Sequence, residues 1–410
     1  MSGFVLYDDA RARDFAPFAL TRPAGELRVG ARLQRERWAR LLGSEATGFV
    51  SGEHLAQFRE FDAPPAQRGP IAAGTWLVNT RCAPSLLATR PGDDVQLLRC
   101  NGRVAALRLR APIESATLAS GEWSLDEAAG AATAATAAAA DIDGWWLEQV
   151  WDLVGLLPAM LAADVAALMP AQPDTRGIAV RGAHQVHVAA DAQVEPYVVA
   201  DTSAGPVLIE SGAQVMAFTR LVGPCIIGAG STVMGGRVAA CSIGPSVKVS
   251  GEISVTVIIG HANKGHDGFV GHSVIGRWAN LGAGTITSNL KNSYGDVSLW
   301  TPQGTQRTGL QFLGSLIGDH AKTGIGTRLS TGSVIGAAAN VFGTRMPPKV
   351  VPPFAWGDAA PWDTFALDRF LVVAARVLGR RGVAAPADAA EHWARIFALR
   401  GSYASDAASS

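Results

Sequence analysis

The stretch Ile209–Ala239, IESGAQVMAFTRLVGPCIIGAGSTVMGGRVA, decides the fold. Ile209, Val215, Leu221, Ile227, Val233 and Ala239 stand six apart without a break. A period of six fits neither an α-helix (~3.6) nor an open strand (~2). It fits a parallel β-solenoid, in which each short strand and turn form one side of a triangular coil. The pattern returns in a new phase at Ile243 and Val249, then at Ile275, Leu281 and Thr287, and again at Ile317, Thr323, Leu329, Ile335 and Val341. With three hexads to a coil, the run predicts roughly seven or eight coils. Glycine follows the apolar residue at Gly228, Gly244, Gly276, Gly282, Gly318 and Gly336. The expected reason is a tight corner with positive φ. Asn289 to Phe312 breaks the period and is expected to project as a loop.

On either side the pattern changes. Residues 1–127 read as α/β. Phe4-Val-Leu-Tyr7 is a short apolar strand ending in Asp8-Asp9, and Leu33–Leu42 is an amphipathic helix stopped by Gly43. Asn101-Gly102 supplies the turn of a hairpin. Residues 128–178 are expected to be an Ala-rich linker and a connecting helix from Asp143 to Leu168, with its tryptophans in core contacts and a bend allowed at Pro158. The solenoid is assigned to 179–350. Helices in 351–400 are expected to cover its last open edge, and 401–410 to be a disordered tail.

The chain carries 35 basic and 35 acidic residues, so its formal net charge is zero. That lacks the electrostatic footprint of a general nucleic-acid or membrane-surface binder. Cys82, Cys100, Cys225 and Cys241 have no metal-ribbon or CxxC spacing, and read as buried thiols of a reduced protein. No apolar leader or spanning segment is seen, and a cytoplasmic location is expected.

Against the bland repeat, HANKGHDGFVGHSVIGRWANLGAGTITSN at 261–289 crowds His261, Asn263, Lys264, His266, Asp267 and His272 into one interval. A solenoid wall does not need them. Taken with the hexads, the LGAGTIT run at 281–287 and the Gly265-His266 pair resemble one family: the bifunctional N-acetylglucosamine-1-phosphate uridylyltransferase/glucosamine-1-phosphate acetyltransferases and their shorter sugar nucleotidyltransferase relatives. The resemblance is strong over about 205–345. It implies a left-handed parallel β-helix that forms a homotrimer and takes acetyl-CoA as acyl donor. It also implies that His266 is general base toward a sugar phosphate or nucleotide sugar, with Asn280 and Asn289 holding acceptor or acyl groups and Gly282, Ala283 and Gly284 lining the thioester site. The chemistry is coherent, because an attacking amine must shed a proton and imidazole titrates near neutrality. Backbone N–H groups at the glycine corner would meet the oxyanion. Two positions depart from the family. Phe269 stands where it has a tyrosine, and its phosphate-binding lysine is missing, which leaves Lys248, Lys264 and Arg237 as the basic candidates.

The first domain resembles the same family more weakly. Ala16–Arg28 matches the opening loop of sugar-1-phosphate nucleotidyltransferases, but DDARARDF replaces the glycine-rich turn and Ala24 follows Arg22-Pro23. The reading is of a degenerate nucleotidyltransferase-like domain. Arg13, Arg22 and Arg28 are its candidate phosphate contacts, with Mg2+ required only if the domain is active, and the alternative is that the arginines are solvated or paired with Asp8, Asp9 and Asp14. The expected function is acyl transfer on the β-helix. The alternatives are nucleotidyl transfer by the first domain with a structural β-helix, a non-catalytic trimer that binds nucleotide sugars, and a metal site built on His261 and His266, as in γ-class carbonic anhydrases.

Overall fold

The computed structural model describes residues 3–133 and 138–403. The rest of the tail, and four residues of the Ala-rich run, lie outside the described residues. Two compact units emerge. One runs to Val150 and takes in Pro386–Ile396, and the other holds Trp151–Ala385 and continues from Phe397.

The first unit is built on Phe4–Tyr7, all four residues buried. This strand pairs in parallel with Ala46–Val50 on one side and Trp76–Asn79 on the other. Arg103–Arg108, Leu97–Cys100 and Ala139–Asp141 complete a six-stranded mixed sheet. Helix Gln34–Leu42 packs Trp38, Leu41 and Leu42 against Phe4, Leu6 and Val78 on one face. Val5, Tyr7, Leu77 and Leu107 meet Leu118 and Leu125 on the other. With both faces covered, the central strand can be apolar throughout. Gly43 ends the helix at φ 63°, and Asn101 and Gly102 take φ 51° and 77° in the hairpin turn.

The expected helix start at Asp143 is instead a strand. Gly144–Trp146 pairs antiparallel with Cys82–Pro84. A Cβ on Gly144 would lie 2.6 Å from the Ala83 carbonyl oxygen, so glycine is what lets this strand close on the sheet. The α/β unit therefore reaches beyond the Ala-rich run. The helices follow at Asp152–Gly155 and Leu157–Leu168, with Pro158 in the first turn, where its missing N–H costs nothing.

The second unit is a three-walled parallel solenoid. Its first wall is a nine-stranded sheet from Val186–Val188 to Val350–Val351. Val188, Ile209, Ile227, Ile243, Ile258, Ile275, Ile317, Ile335 and Val351 stack inward, rung upon rung. The count exceeds the expected seven or eight because the early rungs, with Val186 and Val207 paired, lack clean hexads. Val215, Val233, Val249 and Leu281 belong to the inward row of the second wall, and Leu221, Val238, Ile253 and Val270 to that of the third. Val238, not Ala239, holds the inward place. The register slips between Val233 and Gly236, and Gly235 and Gly236 take φ 99° and 94°.

The glycines of the repeat have another cause than expected. None of the six has positive φ. They let adjacent coils touch: a Cβ on Gly244 would sit 2.2 Å from the Ile259 carbonyl oxygen. The left-handed corners fall instead on Ser246, His261, Trp278, His320, Ala338 and Phe354.

The Asn289–Phe312 interruption contains a hairpin, Ser298–Thr301 with Gly304–Arg307, closed at its base by a Leu290–Phe312 bridge. The last rung is covered by an antiparallel strand, Asp363–Thr364 against Ala355–Gly357, rather than by helices. Helix Leu367–Gly379 follows the coil's side. Phe370 packs edge-on against Phe354 (5.2 Å) and His320 (5.6 Å), and beyond the helix Arg381 Nη1 donates to the Ser246 carbonyl at 2.7 Å. Residues 386–396 belong to the first unit, where His392 meets Phe58 edge-on at 5.8 Å.

Candidate active site on a solenoid corner

His266 lies in the bend between the second-wall strand Asn263–Lys264 and the third-wall strand Val270–Gly271, and its side chain is exposed. Successive rungs place their equivalent corners beside it. Val249 pairs with Lys264, Asn263 with Asn280, and Leu281 with Thr323. The corners of LGAG (281–284) and TGIG (323–326) therefore stack over that of His266. Together they form an open pocket of about 470 Å³, lined by Ser250, Gly265, His266, Asp267, Ala283, Gly284, Ile325 and Gly326. Gly284 and Gly326 take φ 68° and 74° at this corner. The pocket wall combines bare backbone at Gly284 and Gly326 with the exposed apolar side chain of Ile325, against which a flat acyl or amide group can lie.

The glycine amides are engaged. Gly284 N donates to Asp267 O at 3.1 Å and Gly282 N to Thr323 O at 3.1 Å, both part of the coil's own ladder. The corner thus offers shape more than spare donors. Asp267 shares the pocket with His266, because the two sit in a bend, where the alternation expected of a strand does not apply. Ile325 and Gly326 were legible only by aligning TGIG with LGAG across the inserted hairpin, and Ser250 only through the pairing of Val249 with Lys264.

Lys264 points away from the pocket. It is 2% exposed and occupies the inward row of the second wall. Its Nζ donates to the Ser250 carbonyl at 3.0 Å and to that of His266. Burial brings its amine down to about 8, against the opposing pull of Asp267.

The remaining sequence candidates are dispersed. Asn280 accepts from Asn263 Nδ2 at 2.8 Å, in the outer row of the second wall that continues to Lys322. Asn289 joins His272 through Nδ2 and Nδ1 at 2.8 Å, and His272 stacks on Phe312 at 5.3 Å. Phe269 and Asn289 both crowd Gly271, where an added Cβ would meet them at 2.4 and 2.8 Å. Arg237 is paired with Glu252 at 3.5 Å. His261 belongs to another corner and packs on Trp278 at 4.7 Å. Among the described residues no group of three or more His, Cys, Asp or Glu side chains is placed to hold a metal.

In the first unit, a crevice of about 310 Å³ is lined in part by Asp9, Arg11, Asn79, Arg81, Arg103 and Trp146. Asp9 and Asn79 stand at the C-terminal ends of Phe4–Tyr7 and Trp76–Asn79. The chain leaves the central strand first to one side and then to the other, which is where open α/β sheets bind ligands. Here the charges satisfy one another. Arg81 grips Asp9 at 2.7 Å and Glu148 at 3.0 Å, and Arg11 and Arg103 also reach Glu148. Arg103 lies 4.0 Å over the Trp146 ring. Burial alone would raise the Asp9 carboxyl, but Arg81, Asn79 and the Ala12 amide hold it below its ordinary value. Asp8 is fully buried, and burial pushes its carboxyl up despite bonds from Thr80 and the Ala24 amide. With both acids so engaged, the residues present do not fit a Mg2+ site. Sequence reading could not have joined Arg11, Arg81, Arg103 and Glu148, which lie up to 137 residues apart.

The three arginines picked from sequence are engaged within the unit, Arg13 half-buried and the other two buried. Arg13 donates to the carbonyls of Asp8 (2.9 Å), Leu118 (3.1 Å) and Ala119. Arg22 is 2% exposed and paired with Glu60 at 2.6 Å, and Arg28 is buried. Among the described residues, no helix is long and apolar enough to cross a membrane.

Residues 4–171 match the family model described as sugar nucleotidyl transferase. The chain is 39% identical over 116 residues to a protein of Jannaschia sp. (strain CCS1) named bifunctional protein GlmU, a match covering 27% of this chain and 24% of that one. It is 35% identical over 100 residues to a bifunctional sugar-1-phosphate nucleotidylyltransferase/acetyltransferase of Sulfurisphaera tokodaii, covering 24% of each. An uncharacterized acetyltransferase, YaiX, of Escherichia coli O6:K15:H31 is 26% identical over 214 residues, covering 51% of this chain and 83% of its own. The chain thus matches about a quarter of the length of the first two relatives. The architecture is a nucleotidyl-transferase-type α/β unit joined to a parallel β-solenoid.

Proposed function

We propose that this protein is a transferase that moves an acyl group from acetyl-CoA, or a related thioester, to an amino or hydroxyl group of a phosphorylated or nucleotide sugar. The observation that carries this reading is the pocket in which the exposed His266 shares its walls with the glycine corners Ala283-Gly284 and Ile325-Gly326. A thioester carbonyl resting on those corners lies beside the imidazole. His266 takes the proton from the attacking group as the new acyl bond forms, and the thiolate of CoA departs. Phe269 and Asn289 gather on the adjoining wall, where an acceptor ring would lie, and Phe269 offers it an apolar surface. The relatives named as acetyltransferases support the class of reaction. The glycine corner is open to solvent, and a second and third copy of the chain, as a homotrimer, would close the groove around the pantetheine arm.

The match to the sugar nucleotidyl transferase model favours a second reading, in which the first unit binds a nucleotide or nucleotide sugar. The internal pairing of Arg13, Arg22, Arg81 and Glu148 speaks for binding without phosphoryl chemistry.

Calorimetry with acetyl-CoA, and CoA release with glucosamine 1-phosphate and UDP-glucosamine as acceptors, tests the first reading in wild type beside His266→Ala. Acetyl-CoA binding retained in the variant with transfer reduced on the order of 10²- to 10⁴-fold is the expected result. A wild-type chain that binds no acetyl-CoA overturns it.

A further inference from the structure

The inward row of the second wall runs through Val215, Val233, Val249, Lys264, Leu281, Thr323 and Val341. Five of these seven are aliphatic. Thr323 is the polar neighbour, and its Oγ1 accepts from Gly282 N at 3.1 Å. Lys264 is the exception that a coil does not need, since a cation among Val249 and Leu281 costs desolvation. It occurs in the one rung whose corner carries His266. Its amine bonds the carbonyls of Ser250 and His266, and both residues line the pocket.

We propose that Lys264 is a positioning residue: from inside the solenoid its amine ties the corner of one coil to the next and fixes the bend on which the His266 imidazole stands. The inference rests on the reading of His266 as general base. The bend Gly265-His266-Asp267-Gly268 carries no apolar side chain, and the Gly284 amide holds its Asp267 carbonyl at 3.1 Å. Two hydrogen bonds from one buried donor supply what aliphatic packing supplies elsewhere. A base displaced by an ångström loses its line to the acceptor proton, which costs on the order of 10²-fold in rate.

The test compares wild type, Lys264→Met, Lys264→Leu and Lys264→Arg in the full chain. Methionine keeps the length of the stem without a donor, leucine copies Leu281 in the next rung, and arginine keeps donors. Two readouts are taken: deuterium uptake by peptides covering 250–251 and 265–268, and steady-state acetyl transfer with acetyl-CoA binding. Expected are folded Met and Leu variants with faster uptake confined to those two segments, kcat at least about tenfold lower, acetyl-CoA affinity within about twofold, and partial recovery in Lys264→Arg. Unchanged uptake in both the Met and Leu variants overturns the proposal. So does unchanged kcat in a wild type that is active. A wild type that transfers no acetyl group, yet whose Met and Leu variants exchange faster at the two segments, supports the clamp and sinks the acyl-transfer reading instead.

Discussion

Lys322 offers the sharpest test of the energetics of the second wall. It stands in the outer row between Asn280 and Asn340, and its Nζ donates to the His320 carbonyl at 3.2 Å. Burial alone brings its amine from the ordinary 10.5 to about 8. A lysine value lowered by folding means that the unfolded chain holds the proton more tightly. The penalty is therefore complete below about pH 8 and fades as pH climbs toward 10.5. At pH 7 it amounts to about 3 kcal/mol, from 1.36 kcal/mol for each pH unit of difference. Lys322→Met removes that penalty and leaves the His320 carbonyl without this donor, at a cost of about 1 kcal/mol. The variant should then be about 2 kcal/mol more stable than wild type at neutral pH. By about pH 9.5 the remaining penalty has shrunk to about 1.5 kcal/mol, and the advantage should nearly vanish. Urea unfolding of both chains across this range, read as the difference in stability, is the assay. Titrations common to both chains cancel. A difference that stays constant with pH, or a variant less stable at pH 7, would refute the assignment of Lys322 as a half-buried, poorly compensated cation.

Gly244→Ala should destabilise the solenoid by about 1–3 kcal/mol, because its Cβ would lie 2.2 Å from the Ile259 carbonyl oxygen and the coils cannot part locally. The same change at Gly379, where nothing lies within 4 Å at the end of a helix, should add about 0.5–1 kcal/mol, so thermal or urea melts of the two variants should move in opposite directions. Arg81→Met should cost the first unit about 3 kcal/mol, since it strips a largely buried Asp9 of its partner. The Asp9 carboxyl should then titrate higher, measurable by carboxyl-selective NMR, and an unmoved titration would show that Asn79 and the Ala12 amide suffice.

The solenoid was legible because its cause is local and repeated. Each inward residue announces itself by period, and Ile227, Ile243, Ile275, Ile317 and Ile335 stack as the hexads predict. What failed to read were the exceptions to period. The slip between Val233 and Gly236 placed Ala239 inward when Val238 is. The glycine rule was assigned to φ when contact between coils enforces it. Gly144–Trp146 carried a helical spacing of aromatics that its pairing with Cys82–Pro84 overrides. His266 and the 282–284 corner could be found from one motif, while Ile325 and Gly326 needed a register that crosses a 24-residue interruption from 289 to 312.

In the first unit the two readings of the arginines, phosphate contacts or internal partners, part on their hydrogen bonds. Arg13, Arg22 and Arg28 were candidates for phosphate only through the likeness of Ala16–Arg28 to the opening loop of sugar-1-phosphate nucleotidyltransferases, with internal pairing as the alternative. In this chain arginines there take the structural part. Arg13 knits three carbonyls, Arg22 answers Glu60, and Arg81 holds Asp9 and Glu148 together above a tryptophan. A glycine-rich turn would have kept the end of the central strand open for a polyphosphate. DDARARDF instead builds a short capped helix whose Asp9 accepts from Ala12 N at 2.9 Å, and the freed space is filled by ion pairs. On the solenoid the converse holds: a buried lysine, costly to its wall, adjoins the corner that carries His266. In the first unit charge is spent on closing a crevice, and in the second on shaping one. That contrast supports the proposal that acyl transfer takes place on the coil.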